Sequence, residues 1–421
     1  MLARLLSPEI IGLMALINSI KTGVDLISDV GISQSLVQNR RAEEPDFYDT
    51  AWTLKVLRGC ALFVIFVAAS PFISHFFEAQ SLTLILPIFA LSFLFDGFSS
   101  ISVSLMQKRM KIKELNVISF CFELFPGIIL VVFAYFMRSI WALVIGLLVS
   151  AALKAVTTHY LLSDVRIRAK FVKRYATEIT KFGRWIFISS IVYFFATNLD
   201  RLYLGKIASF GMLGIYGIAR SFSDLIVGFA ARICGLIVFP SIAANAHHDP
   251  HVLRAKIAPL RLQFLIVTGV ALAVFAATAD LPIHLLYDSR YQAAAGMLPV
   301  MALGAWFSIL CSINENVLLG LAATKYLAIG NAFRFVWLSL GLLLGYAKFG
   351  FLGVVCVFAA SDIFRYAALS IGQARSKISF SGQDFSTTLV LALTFAALLW
   401  VRWTLGFGLP FEELFDPVFG K

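Results

Sequence analysis

The sequence predicts an all-α polytopic membrane protein, with about 12 transmembrane helices in two pseudo-symmetric lobes around a central cleft. Three observations support this fold class: the composition, the recurrence of long apolar segments, and an internal repeat. Of the 421 residues, 60% are hydrophobic and 14% are charged, and the mean hydropathy is +0.86. A soluble domain averages about 45–50% apolar and about 25% charged residues. An apolar excess of this size cannot be buried in a water-soluble core.

The apolar segments have the length that crosses roughly 30 Å of hydrocarbon, which is about 20 residues in a helix. Their continuous hydrophobicity indicates helices, because the strands of a membrane barrel give short alternating segments. The predicted spans are 9–33, 52–78, 83–106, 114–136, 139–162, 180–206, 209–240, 257–287, 293–320, 326–347, 350–372 and 385–408.

The loops between the spans are short, and the basic ones alternate regularly. Threading the spans in order places all the Lys- and Arg-rich loops on one side, including SDVRIRAKFVKRYATEITK. The positive-inside rule makes that side cytoplasmic. The net charge of +11 is therefore explained by topology. We expect no nucleic-acid partner.

The internal repeat has an offset of 202 residues. LARLLSPEIIGLMALI near the start aligns with LGKIASFGMLGIYGIA, so that Gly12 meets Gly214 and Arg4 meets Lys206. A duplicated transporter built from two such halves is the predicted architecture. Under this mapping, helix 180–206 has its counterpart just before Met1, so we expect an apolar segment of about 20 residues to be encoded upstream.

The repeat and the loops together predict a domain organisation. The predicted parts are an N-terminal helical lobe without its first helix, a basic cytoplasmic linker, a C-terminal helical lobe and an additional peripheral transmembrane helix. Their ranges are, in that order, 1–162, 163–179, 180–372 and 385–408.

An ordered set of short motifs makes a family resemblance specific. The stretches RLLSPEIIGLMAL, LMQKRMKIKEL, FGRWIFISS, NLDRLYLGK, LGIYGIAR and FPSIAA resemble the polysaccharide transporter family. This family of Wzx-type oligosaccharide flippases is a branch of the multidrug/oligosaccharidyl-lipid/polysaccharide exporter superfamily. The similarity runs from about residue 1 to about residue 372. It departs from the family pattern at the absent first helix and at Tyr291, where a tryptophan is expected.

The resemblance implies a function and a location. A protein of this kind is a secondary transporter in the bacterial cytoplasmic (inner) membrane. By alternating access it flips a polyprenyl-(pyro)phosphate-linked oligosaccharide for exopolysaccharide, capsule or lipopolysaccharide synthesis. Its partners are the lipid-linked oligosaccharide and, in the membrane, a polysaccharide polymerase and other assembly proteins. No cofactor is implied.

Charged residues within the spans are the candidate site residues, because each is costly to insert, by about 2.5–3.5 kcal/mol on translocon scales. Basic side chains facing a cleft could hold the lipid phosphate, whereas carboxylates could couple transport to an ion or form internal ion pairs. For Lys21–Asp25 and Arg220–Asp224, both interpretations are open. The predicted substrate-binding residues are Lys21, Arg201, Arg220 and Arg334, and the predicted ion-coupling or ion-pair residues are Asp25, Asp29, Asp200, Asp224 and Glu315.

Other classes of protein fit the sequence less well. A multidrug exporter of the same superfamily and a lipid II flippase are the near alternatives. A polyprenyl-sugar glycosyltransferase or polymerase is the alternative from another class, but such enzymes use large external loops, and here the external connections are short. No phosphate-binding G-x-x-x-x-G-K-[ST] motif is present, which argues against an ATP-driven pump. The histidine loop at 247–251 is interpreted as solvated, so no metal site is predicted.

Overall fold

The computed structural model describes residues 2–29, 31–162, 165, 167–245, 250–321 and 323–412. Within these residues the regular structure is helical and no strand is found. The helices are α1 (Leu2–Leu5), α2 (Pro8–Ile27), α3 (Ile32–Gln38), α4 (Pro45–Phe76), α5 (Leu82–Phe98), α6 (Ser102–Lys108), α7 (Ile112–Met137), α8 (Ile140–Thr158), α9 (Lys173–Ile207), α10 (Phe210–Asn245), α11 (Pro250–Ala277), α12 (Asp280–Leu286), α13 (Ala293–Gly320), α14 (Lys325–Arg375) and α15 (Ser381–Thr404), with a short 3₁₀ turn at Ser289–Tyr291.

The long helices match the predicted spans. In the described part of the chain, nine helices are long and apolar enough to cross a membrane, and α5 with α6 makes a tenth. The 51-residue α14 counts once among the nine, although Gly350 interrupts it with φ 56° and ψ −140°. Glycine adopts such a conformation readily, so α14 supplies the two predicted spans 326–347 and 350–372. The less apolar α9 overlaps the predicted span 180–206.

Three predicted spans are broken in the structure. The span 9–33 ends as a helix at Ile27, because the chain turns through Gly31, whose φ is 68°. The span 83–106 is divided into α5 and α6, which are bent by 45°. The span 257–287 is divided into α11 and α12. The segments are hydrophobic throughout, so hydropathy does not indicate where their helices end.

The helix boundaries agree with the internal repeat. Helix α1 ends at Leu5 and α9 ends at Ile207, whereas α2 begins at Pro8 and α10 begins at Phe210. Both pairs of boundaries are 202 residues apart, which is the offset of the sequence repeat. The two copies therefore share a helix end, a short connection and a helix start.

The chain divides into two compact units, and the division falls inside α9. The first unit holds Met1–Phe194 with Gly205–Phe210, and the second holds Phe195–Leu204 with Gly211–Lys421. Phe194 packs within the first unit, where its ring lies so close to Gly23 that a Cβ there would be 2.5 Å from it. The predicted lobe ranges 1–162 and 180–372 stay a prediction.

Two glycines determine how α4 and α5 cross in the first unit. A Cβ added to Gly59 would lie 2.6 Å from the carbonyl oxygen of Phe93 and 3.0 Å from the Cα of Gly97. Small residues of this kind allow membrane helices to approach closely. The crossing brings the polar side chains of the two helices together at one end.

In the second unit, α15 is attached to its neighbours by polar contacts. Arg261 Nη2 on α11 lies 2.5 Å from Asp384 Oδ1, and both side chains are buried. Trp306 Nε1 on α13 donates to Thr388 Oγ1 at 2.8 Å. The outer face of α15 is exposed. That the span 385–408 is peripheral to the lobe stays a prediction.

Candidate functional site

Lys21 is the centre of a polar cluster in the first unit. Its Nζ lies 2.7 Å from Asp25 Oδ2, one turn along α2, and 3.0 Å from Asp96 Oδ2 on α5. It also lies 5.3 Å from the centre of the Phe93 ring, within the range of a cation–π contact. The i,i+4 pair that the sequence predicted is present. Asp96 adds a carboxylate that lies far away in the sequence.

Two further cations of α4 surround this cluster. Arg58 Nη2 donates to the carbonyl oxygen of Asp25 at 2.7 Å and lies 3.5 Å from its carboxylate. Lys55 Nζ donates to the carbonyl oxygen of Ser99 at 3.0 Å and to its hydroxyl at 2.5 Å. The close crossing of α4 and α5 places Lys55 beside the end of α5, whereas Arg58 contacts Asp25 and Ser28 at the end of α2.

Asp29 does not belong to this cluster. In a continuous helix over the predicted span 9–33, Lys21, Asp25 and Asp29 would share one face at i,i+4 spacing, but α2 ends at Ile27. The Asp29 carboxylate instead accepts a hydrogen bond from the Gly31 backbone at 2.9 Å. The prediction that 9–33 is one helix is therefore wrong at Asp29.

A cavity of about 640 Å³ opens beside Lys21. It lies between α2, α5, α7 and α8, and most of its wall is apolar. Its polar lining consists of Asn18, Lys21, Ser92, Asp96, Cys121, Ser150, Lys154 and Thr157. Asn18 occupies the position of Arg220 in the repeat.

The charges of the first unit are unequal in number. The cavity and its bonded neighbours carry four cations, Lys21, Lys55, Arg58 and Lys154. Among the described residues, the carboxylates paired with these cations are Asp25 and Asp96. The surplus is therefore two positive charges, which is the electrostatic character required for an anionic ligand.

Arg220 is the centre of a second cluster, in the second unit. Its Nη1 lies 2.6 Å from Asp200 Oδ2, and its Nε lies 2.9 Å from Asp224 Oδ1. Its guanidinium carbon lies 3.8 Å from the centre of the Phe358 ring. The Tyr216 hydroxyl donates to Asp200 at 2.5 Å. The Arg220 side chain is 6% exposed and that of Asp200 is 0% exposed, so this pair is buried.

Arg201 extends this cluster to the surface. Its Nη2 lies 3.0 Å from Asp224 Oδ2, so Asp224 bridges two arginines of neighbouring helices. The side chain of Asp224 is about half exposed. The two predicted substrate-binding arginines are therefore joined to two predicted ion-pair carboxylates.

Arg334 and Glu315 belong to a third group, also in the second unit. Arg334 Nη1 lies 2.9 Å from Asp362 Oδ1, and both side chains are buried. Arg365 lies 3.7 Å from the same Asp362 oxygen and is paired with Glu315. The Ser308 hydroxyl also donates to Asp362. Together with the Arg220 cluster, four arginines are matched by four carboxylates.

Some of these residues were not predicted from the sequence. Lys55, Arg58 and Lys154 lie within predicted spans, and their charge alone was the available signal. Lys154 is near a helix end, where a lone lysine is usually interfacial. The Arg261–Asp384 pair joins residues more than a hundred positions apart, and no local spacing indicates it.

Beyond the end of α4, the Glu78 carboxyl has a shifted pKa. Lys206 Nζ lies 2.6 Å from Glu78 Oε1 in the first unit. The hydrogen bond from this ammonium lowers the pKa of the Glu78 carboxyl.

Among the described residues, no group of three or more His, Cys, Asp or Glu could hold a metal ion. His247 and His248 of the histidine loop lie outside the described residues.

The helices and their buried charges define the class of this protein, which is a multi-pass helical membrane protein. A family profile described as "Polysaccharide biosynthesis protein" matches residues 1–296. This match covers more than half of the chain, and the chain belongs to that family. The resemblance found in the sequence motifs is thereby confirmed.

Curated relatives carry names from the same field. The chain is 24% identical over 300 residues to the teichuronic acid biosynthesis protein TuaB of Bacillus subtilis (strain 168), covering 70% of this chain and 61% of TuaB. It is 23% identical over 317 residues to the lipopolysaccharide biosynthesis protein WzxC of Escherichia coli (strain K12), covering 75% and 63%. It is 21% identical over 311 residues to the succinoglycan biosynthesis transport protein ExoT of Rhizobium meliloti (strain 1021), covering 74% and 62%. The chain thus spans about three-fifths of the length of these relatives.

Solved structures confirm the fold class. The lipid II flippase MurJ, in an inward closed conformation, matches with a TM-score of 0.76 at 16% identity, covering 99% of this chain and 90% of that one. An inward-facing multidrug resistance MATE family transporter of the MOP superfamily matches with a TM-score of 0.68 at 12% identity, covering 93% and 92%. At such identities the likeness shows the fold alone.

Proposed function

We propose that this chain is a secondary transporter that moves a polyprenyl-(pyro)phosphate-linked oligosaccharide across the bacterial cytoplasmic membrane by alternating access. The transported lipid serves the synthesis of an exopolysaccharide, a capsule or a lipopolysaccharide. The chain is a carrier rather than an enzyme. Its partners in the membrane are a polysaccharide polymerase and other assembly proteins.

The observation that carries the proposal is the family match over residues 1–296. The names of the curated relatives support it, because they refer to the biosynthesis of teichuronic acid, lipopolysaccharide and succinoglycan, and one is called a transport protein. The fold is compatible with this mechanism, since the two matched structures are named as a flippase and a multidrug transporter.

The charge distribution supports an anionic substrate. A lipid-linked sugar carries a phosphate or pyrophosphate, which needs a positive partner inside the membrane. The surplus of two cations around Lys21 supplies one in the first unit. We therefore assign Lys21 to substrate binding, with Asp25 holding its ammonium in position.

The arginines of the second unit have a different proposed role. Each hydrogen-bonding nitrogen of Arg220 already has a protein partner, including the Thr197 carbonyl oxygen at 3.4 Å. We assign Arg220, Arg201 and Arg334 to ion pairs that join neighbouring helices. The carboxylates Asp200 and Asp224 are partners of Arg220 and Arg201, and Glu315 is paired with Arg365. We therefore assign none of the three to a coupling ion.

The near alternatives share the fold. A lipid II flippase and a multidrug exporter both have this architecture, so the fold alone does not separate the three functions. The family match favours the oligosaccharide carrier. The surplus of cations also disfavours an exporter of cationic drugs, whose site would carry an excess of carboxylates.

Complementation tests the proposal. The chain is expressed in a bacterial strain that lacks its oligosaccharide flippase, and surface polysaccharide is measured together with the amount of protein in the membrane. We expect polysaccharide export to be restored. Export should fall to background in the Lys21→Gln variant at an unchanged membrane level.

The matched control is Lys206→Gln. Lys206 lies in a helical segment like Lys21 and has a carboxylate partner, but it does not line the cavity and its partner Glu78 is exposed. Export should be unaffected by this change. A wild-type chain that inserts normally but restores no export, while conferring drug resistance, would favour the multidrug alternative.

A further inference from the structure

We propose that residues 168–172, just before α9, form a releasable strap on the first turns of α4, and that this strap detaches and reattaches during transport. The link to transport rests on the proposed function. The strap itself is supported by its hydrogen bonds, by the polar surface that receives it and by the apolar contacts on either side of it.

The strap is bound through alternate backbone groups. Residues 167–172 form neither a helix nor a turn, and every second backbone N–H of the strap donates to a side chain of α4. The bonds are those of Arg168 N–H to Asp49 Oδ1 at 2.9 Å, Lys170 N–H to Thr53 Oγ1 at 3.1 Å and Val172 N–H to Thr50 Oγ1 at 3.2 Å. These bonds use the backbone of the strap, so they fix its path along the helix.

The receiving surface of α4 is complete without the strap. The Thr53 hydroxyl lies 3.0 Å from the Lys170 carbonyl oxygen but also 2.8 Å from the carbonyl oxygen of Asp49, and it has one proton to donate. The Thr50 hydroxyl donates to the carbonyl oxygen of Asp46, one turn earlier on α4, at 2.6 Å. When the strap leaves, both hydroxyls therefore keep a hydrogen-bond acceptor within their own helix.

The side chains of the strap add little to its attachment. Lys170 Nζ lies 2.5 Å from Asp46 Oδ1, but both side chains are about half exposed. A surface ion pair of this kind contributes little to stability. The Phe171 side chain is 55% exposed, so apolar burial does not fasten the strap. The attachment thus depends mainly on bonds that water can replace.

Apolar anchors hold the chain on both sides of the strap. Before it, Leu162 and Val165 are buried in a cluster that includes Phe47 of α4. After it, Ile179 of α9 is buried in the same cluster. The strap can therefore open as a local unit while its flanks stay in place, as weakly bonded segments do in folded proteins.

The opposing free energies favour a reversible attachment. Holding each residue of the strap in one conformation costs conformational entropy. The hydrogen bonds that oppose this cost each contribute little net stability, because water bonds to the separated groups. Opening exposes hydroxyls and the Asp49 carboxylate, which is buried in the attached state, and water hydrates such groups well. Neither state is therefore strongly favoured over the other.

The place of the strap in the chain connects it to transport. Helix α9 begins at Lys173, directly after the strap. The chain first passes from one compact unit to the other within α9, between Phe194 and Phe195. The attached strap restrains the beginning of that helix, and its release allows the beginning to move. Alternating access requires such changes in the segments that join two moving units.

The first experiment fixes the strap to α4 with a disulfide. The double variant Thr53→Cys with Lys170→Cys is made in the full chain after its five native cysteines are changed to alanine. The purified protein is reconstituted in proteoliposomes. The probe is a polyprenyl-diphosphate-linked oligosaccharide, whose movement between the leaflets is measured. We expect oxidation to stop this movement and reduction to restore it, at an unchanged amount of folded protein.

The matched control places a disulfide on the same helix. Thr83 Oγ1 donates to Ser74 Oγ at 2.8 Å, so the double variant Ser74→Cys with Thr83→Cys joins the other end of α4 to the beginning of α5. These two helices are already in close contact through Gly59 and Gly97. Oxidation of this control should leave transport unchanged.

A second measurement does not depend on transport. In the same cysteine-free chain, spin labels at Phe171→Cys on the strap and Gln107→Cys on α6 report the distance between two exposed positions of the first unit. We expect two distance populations. In Thr53→Val the ratio of detached to attached strap should rise about fivefold, because a hydrogen bond to the strap is lost. Thr278→Val, which removes a hydroxyl bonded at the end of α11, should leave the ratio unchanged.

Several results would overturn the proposal. The oxidised strap cross-link could transport at the rate of the reduced protein, or the labels could show one distance population that Thr53→Val does not change. Equal loss of transport in the oxidised control would also count against the strap, because the effect would not be specific to it. If the wild-type chain moves no lipid at all, the proposed function fails, and the distance populations alone decide whether the strap is releasable.

Discussion

The two units differ in how completely their intramembrane charges are paired. In the first unit, four cations around the cavity face two carboxylates, and Lys154 contacts no acidic group among the described residues. In the Arg220 and Arg334 groups of the second unit, four arginines are paired with four carboxylates. Arg220 is bonded at every nitrogen that can donate and is 6% exposed. One unit has an open cavity with charge available to a ligand, and the other has a closed set of ion pairs.

The difference shows that intramembrane charge alone does not identify a binding residue. A buried pair that is broken on one side leaves an uncompensated charge, which destabilises a protein by about 3–5 kcal/mol. A partly exposed cation with an incomplete set of partners can be neutralised at a much smaller cost to stability. Substitutions in the two units should therefore separate folding from transport.

The largest expected effect is loss of the protein when Arg220 is changed to Gln. Asp200 would remain fully buried without its cation, so membrane abundance should fall severely, in line with about 3–5 kcal/mol of lost stability. The double variant Arg220→Gln with Asp200→Asn should recover abundance. Quantitative immunoblotting of the membrane fraction and thermal unfolding in detergent measure both outcomes.

The matched control for this prediction is Arg220→Gln with Asp224→Asn. Asp224 is about half exposed, so its carboxylate does not need Arg220 in the way that Asp200 does. This double variant should stay as depleted as the single variant. Equal recovery by both double variants would contradict the dominant role assigned to the Asp200 pair.

A smaller loss of abundance is expected for Arg334→Gln. Its partner Asp362 keeps the Ser308 hydroxyl and has Arg365 at 3.7 Å, so its charge is still compensated in part. The same immunoblot should place this variant between the wild type and Arg220→Gln. A loss as severe as that of Arg220→Gln would mean that Arg365 does not compensate.

For Lys21→Gln we expect an effect on export but only a small effect on stability. Its side chain is 21% exposed, and after the change Asp25 still has Arg58 nearby. The thermal midpoint should shift by a few degrees at most, whereas polysaccharide export should be lost. A midpoint as low as that of Arg220→Gln would show that Lys21 is mainly structural.

The smallest effect is expected at Glu78, beyond the end of α4. Because Lys206 lowers the pKa of Glu78, the pair contributes to stability above the usual glutamate range and loses that contribution as pH falls through the lowered pKa. The carboxyl is fully exposed, so solvent screens the pair. The thermal midpoint of Glu78→Gln should equal that of the wild type at neutral pH within error, and the difference should not grow on acidification.

Part of the site could be predicted from the sequence, because some of its ion pairs join residues one turn apart on the same helix. The pairs Lys21–Asp25 and Arg220–Asp224 follow from the helical repeat, and both are present. The contact of Lys21 with Asp96 depends on the packing of two helices, and no spacing along the chain encodes it.

The same distinction between local and long-range information explains which predictions about the fold were correct and which were wrong. Asp29 was misplaced because hydrophobicity continues past Ile27, whereas the backbone turns at Gly31. The repeat succeeded because it records a duplicated pattern of helix ends, and the structure has the same 202-residue offset at Pro8 and Phe210. Turns within apolar segments depend on single residues, and average hydropathy does not detect them.

The central claim is that the first unit handles the substrate phosphate and that the ion pairs of the second unit hold its helices together. The most direct test is polysaccharide export per membrane-inserted molecule for two variants, Lys154→Gln and the double variant Arg220→Gln with Asp200→Asn. We expect Lys154→Gln to lose most of its export at a normal membrane level, and the double variant to export at nearly the wild-type rate per molecule. Normal export by Lys154→Gln together with no export by an abundant double variant would contradict the claim.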